Sequence, residues 1–80
     1  MSPPVDERSA PPAVGTPVDL EVLGAGRVTA TVEAVSELVQ EGIRGLGWRV
    51  VLRLPDGSLA HGIKRGRSRI IFLDPRHRVA

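Results

Sequence analysis

Four cations are packed into six residues in the run Lys64-Arg65-Gly66-Arg67-Ser68-Arg69. Guanidinium groups pair bidentately with phosphate or carboxylate, so the chemistry such a run supports is anion binding. Gly66 at its centre predicts a tight hairpin turn, where the absence of a side chain lets a ligand backbone come close. Ser68 adds a neutral donor. In the segment Trp48-Arg49-Val50-Val51-Leu52-Arg53, Arg49 and Arg53 share a parity with Val51, opposite to Trp48, Val50 and Leu52. The candidate anion-binding set is therefore Arg49, Arg53, Lys64, Arg65, Arg67 and Arg69. The competing reading is a solvated hairpin whose charges are neutralised internally by Glu33 and Glu37.

The charge distribution sharpens this reading. Residues 1–43 carry two bases against seven acids, a balance of −5, whereas residues 44–80 carry nine bases against two acids, a balance of +7. An anionic partner is what such polarity suggests. Ten of the eleven bases are arginine, which the codon bias of a GC-rich coding sequence would also produce.

Other chemistries find little footing. There is no cysteine, hence no disulfide, thiolate nucleophile or cysteine-ligated metal. His61 and His77 have no ligand spacing with Asp56 or Asp74, and His61 reads as a partly buried, hydrogen-bonded strand residue. His77, between Arg76 and Arg78, reads as an extension of the basic surface. Neither Ser36, Ser58 nor Ser68 has a base at motif spacing, and Gly42, Gly45 and Gly47 lack the lysine of a phosphate-cradling loop. No enzyme, metal or cofactor is expected. Trp48 and Phe72 are the only aromatic residues, too few for a polyproline groove or a base-stacking platform.

The elements that must position the arginines follow from periodicity. Five of the seven prolines lie in residues 1–17, and residues 1–16 read as a disordered proline-rich tail. Period-two alternation then begins. Val18, Leu20 and Val22 form one strand, and Val28, Ala30, Val32 and Ala34 a second. Trp48, Val50, Leu52 and Leu54 line a third, closed by the turn Pro55-Asp56-Gly57-Ser58. Leu59–Lys64 and Arg69–Leu73 complete the set before Asp74-Pro75 ends it. Residues 35–42 fit either a short helix with Gly42 as terminator or a variable loop after a bulged strand. About five strands in residues 17–74 predict an all-β fold, a small closed barrel, followed by a basic tail over 75–80. The expected core is Val18, Leu20, Val22, Val28, Ala30, Val32, Trp48, Val50, Leu52, Ile63, Ile70 and Phe72, with Trp48 buried as its anchor.

The segment PVDLEVLGAGRVTATVEAV, residues 17–35, resembles the KOW-type opening of an SH3-like barrel: a short strand, a turn at Gly24 and Gly26, then Val28 and Val32. Ala30 stands where that family carries glycine. The resemblance implies the SH3-like fold and contact with nucleic acid or with transcription and translation machinery. Only Arg27 among the bases falls inside it, so it assigns no contact residue. The expectation is a small non-catalytic binding module, in the cytoplasm and without a membrane segment, either a monomer or a weak homo-oligomer. Its partner is DNA or RNA, bound without sequence preference, or alternatively an acidic protein surface.

Overall fold

The computed structural model describes residues 11–80. These form six strands: β1 (Pro17–Val22), β2 (Gly26–Glu37), β3 (Trp48–Arg53), β4 (Leu59–Lys64), β5 (Ile71–Phe72) and β6 (His77–Val79). They pair antiparallel in the order β5-β4-β3-β2-β1-β6 and curl into a nearly closed barrel. The described residues contain no helix, and so none long and apolar enough to cross a membrane. The architecture is consistent with an SH3-like barrel.

The long strand β2 serves both halves of the barrel. Its first half pairs with β1, from Gly26 opposite Val22 to Thr31 opposite Pro17; its second half pairs with β3 as far as Glu37 opposite Trp48. The register slips between Val32 and Ala34, so Glu33 is the extra residue of a β-bulge. Ala30 and Val32 point inward before the slip, and Val35 is half-buried after it. A bulge bends its strand and increases the local twist, as a sheet this small requires in order to curl round a core.

Residues 35–42 are thus strand and hairpin, not helix. Leu38 donates its N–H to the Gly47 carbonyl at 2.8 Å, and Gln40 and Ile43 exchange backbone hydrogen bonds of 3.2 and 2.9 Å. The two residues between them, Glu41 and Gly42, have φ of 52° and 77°. Positive φ at both central positions matches the right-handed twist of a two-residue hairpin, but it strains a glutamate. Glu41→Asn is expected to raise stability by up to about 1 kcal/mol, read as a higher thermal midpoint.

Leu20, Ala30, Val32, Val50, Leu52, Leu54, Ala60, Ile70 and Phe72 make up the core. Val18, Val22, Val28, Val35, Trp48 and Val79 pack partly buried around it. Trp48 has the expected inward parity but opens β3 at one end of the barrel, and it is half-buried rather than the buried anchor. The parity of β4 is the reverse of the expected one. Ala60 and Gly62 point inward, His61 is exposed and Ile63 lies half-buried on the outer face. The inside of β4 is covered closely by Ile70 and Phe72, which leaves room only for small residues there.

Residues 11–16 and 75–80, read from the sequence as parts of the two tails, include backbone paired to strands. Residues 1–10 lie outside the described part. Within residues 11–16, Gly15 donates to the Val32 carbonyl at 2.8 Å, and Val32 donates back to Thr16 at 2.9 Å. This segment is therefore tied to β2. At the other end, β6 pairs with β1 through Leu20 opposite Val79, Glu21 opposite Arg78 and Val22 opposite His77. The chain after Pro75 thus supplies a sixth strand. His77 is half-buried there, its ring edge-on to Phe72 at 6.1 Å.

Candidate anion-binding surface

The six candidate cations do not stand alike. Arg53 is held on the outer face of β3. Its Nε donates to Glu33 Oε1 at 2.8 Å, its Nη2 bonds the same oxygen, and its Nη1 donates to the Gly57 carbonyl at 3.1 Å. The bulge aims Glu33 at this arginine. Lys64 is likewise engaged: its Nζ donates to the carbonyls of Gly66 and Ser68, each at 2.8 Å. With the Ser68 N–H donating to the Arg65 carbonyl at 2.9 Å, these bonds hold the β4–β5 hairpin in shape. Arg53 and Lys64 therefore belong to the scaffold, and a partner would have to displace their bonds to use them.

Arg49, Arg65, Arg67 and Arg69 are different. All four are exposed, and none has a carboxylate partner among the described residues. Glu37, one of the acids that might have neutralised the hairpin, instead accepts a long 3.4 Å bond from the Gly45 N–H. Strand pairing sets Arg49 beside Ile63, while Trp48 lies opposite Lys64, so Arg49 and the hairpin share one end of the barrel.

Gly47 brings the β2–β3 loop to the same end. A Cβ at Gly47 would meet the Lys64 carbonyl at 2.4 Å and the Arg65 side chain at 3.0 Å. Only a glycine can approach so closely, and its φ of 130° is a second reason for it. Arg44, on this loop, is exposed and has no ion pair among the described residues. It joins the candidate set, although no run or parity in the sequence marks it.

Arg76 and Arg78 show what neutralisation looks like in this fold. Arg76 Nη2 lies 2.8 Å from Asp74 Oδ2, and Arg78 Nε lies 3.2 Å from Glu21 Oε2 across the β1–β6 pair. Hydrogen bonds from the Arg76 side chain and backbone hold the Asp74 carboxyl down to about 2, well below the usual carboxylate range. Asp56 is also lowered, because the Ser58 hydroxyl and N–H both donate to it in the β3–β4 turn. Both aspartates thus have structural roles. Among the described residues no group of three or more His, Asp or Glu is placed to hold a metal ion.

No protein family, curated protein or solved structure gives a significant match to this chain.

Proposed function

We propose that this protein is a small non-catalytic module that binds nucleic-acid backbone through the β4–β5 hairpin. The observation that carries the reading is the clustering of unpaired arginines. Arg53, Arg76 and Arg78 each have a carboxylate, whereas Arg49, Arg65, Arg67 and Arg69 have none among the described residues and lie toward one end of the barrel. Arg27 also lacks one, but it stands by the β1–β2 turn at the opposite end of β2. Unpaired guanidinium groups spaced along a hairpin can each take a phosphate oxygen, releasing condensed counterions as they do so. The charge of Lys64 adds to the local field while its donors hold the turn. Arg44 extends the surface across the neighbouring loop.

The resemblance of residues 17–35 to a KOW-type segment of an SH3-like barrel supports the same class of partner. Neither an asparagine to read base edges nor an aromatic platform accompanies the hairpin, so binding is led by charge and shape, with little sequence preference.

The test is fluorescence anisotropy with labelled duplex and single-stranded oligonucleotides over a range of salt. Replacing Arg65, Arg67 and Arg69 together by alanine is expected to weaken binding about tenfold or more at moderate salt. It should also lower the slope of log affinity against log salt by about two to three, equally for all sequences. The three side chains are solvent-exposed, so the circular dichroism and thermal midpoint should stay close to those of the parent. Unchanged affinity in the triple variant would move the function to another surface.

A further inference from the structure

The outside of the barrel beside the basic hairpin carries an aliphatic centre edged by arginines. Pairing aligns Arg49 with Ile63 and Ile63 with Ile71, which makes one row across β3, β4 and β5. The Leu73 N–H donates to the His61 carbonyl at 2.9 Å, extending the sheet edge by one residue. Ile71 and Leu73 are 68% and 69% exposed, although Phe72 between them is buried. A groove of about 250 Å³ runs here, lined by Ile63, Arg65, Ser68, Arg69, Ile71 and Leu73. The core needs only Ile70 and Phe72 from this stretch, so the outward aliphatic side chains do nothing for the barrel.

We propose that this groove docks an acidic amphipathic protein segment, an extended peptide whose aliphatic side chains alternate with Asp or Glu. The aliphatic side chains would fill the groove against Ile63, Ile71 and Leu73. The carboxylates would pair with Arg65 and Arg69, which have no such partner among the described residues. Arginine at the edge of a desolvated aliphatic centre is the composition of protein interfaces. A phosphate backbone satisfies the arginines but leaves Ile71 and Leu73 in water. A second copy docking groove to groove would bring Arg65 and Arg69 of both copies together, like charge against like. The proposal stands apart from phosphate binding because the aliphatic residues do the discriminating.

The experiment is methyl-resolved NMR on the full chain. The probe is a blocked peptide of alternating Glu and Ile, and the controls are the same peptide with Lys for Glu and a short DNA duplex. The acidic peptide is expected to shift the Ile63, Ile71 and Leu73 methyl signals saturably. Ile71→Ser combined with Leu73→Ser should raise its Kd at least about tenfold while leaving duplex binding unchanged, and Arg65→Ala with Arg69→Ala should weaken both. Retained methyl dispersion in each variant shows that the fold is intact. No shift with the acidic peptide, or equal shifts with the lysine peptide, would overturn the proposal. Equal shifts of these methyls by the duplex would give the groove to nucleic acid. Shifts that grow with protein concentration alone would give it to a second copy.

Discussion

Leu52→Ala is expected to leave the chain largely unfolded at room temperature. Leu52 sits at the middle of the barrel on β3, fully buried, with Ala60 of β4 and Val32 of β2 as its cross-strand neighbours. Removing a buried leucine down to its Cβ costs about 2–5 kcal/mol, the upper end where the surroundings cannot close over the cavity. Here the neighbours are already small or β-branched and fixed by ladder hydrogen bonds on both sides, so collapse is limited. Domains of this size hold only about 3–5 kcal/mol in total. Urea titration by circular dichroism should show most or all of the folded baseline lost. Trp48→Ala is the control for depth. Trp48 is only half-buried at the end of β3, so its loss should cost less than that of Leu52 despite the larger side chain. The reverse order would mean that the tryptophan at the barrel end, not the centre of β3, anchors the core.

How far the fold could be read in advance depended on how strongly each strand advertises its inward face. β1, the first half of β2 and β3 alternate cleanly, and their inward residues are the expected ones. The second half of β2 was ambiguous because Ala34-Val35 breaks the alternation. A bulge and a helical turn place those two residues similarly on paper, and only pairing with β3 decides between them. β6 carries no strand signal of its own, because Pro75 ends the pattern and His77-Arg78-Val79 has a single aliphatic residue. Its strand conformation is imposed by β1, more than fifty residues earlier in the chain. The candidate site shows the same division. Exposure of Arg49, Arg65, Arg67 and Arg69 follows from parity and from a glycine turn. The capture of Arg53 by Glu33 does not, because it depends on the bulge that aims the glutamate. Nor does the engagement of Lys64, which depends on two carbonyls that converge only once the hairpin has closed.

Gly62→Val is expected to destabilise the barrel by about 1–3 kcal/mol or more, through overpacking rather than backbone strain. The sequence of β4 points to the wrong face for the same reason that makes this position sensitive. Leu59, His61 and Ile63 look like its inward residues because they are large, yet the inward positions are Ala60 and Gly62. A Cβ at Gly62 would lie 2.4 Å from the Ile70 Cγ2 methyl and 3.1 and 3.2 Å from two Phe72 ring carbons. Ile70 is β-branched and stiff at χ1, and Phe72 is pinned by the pairing of β5 with β4, so neither can swing clear without shifting backbone. A valine adds two further methyl groups to that contact. The measurement is chemical denaturation of Gly62→Val alone and combined with Ile70→Ala. Removing the isoleucine side chain opens the space that the new Cβ demands. The double variant should therefore be more stable than the sum of the two single losses implies, a coupling of about 0.5–3 kcal/mol. Strict additivity would show that Ile70 does not press on Gly62. The smallness of the β4 interior would then have some cause other than the closure of β5 across it.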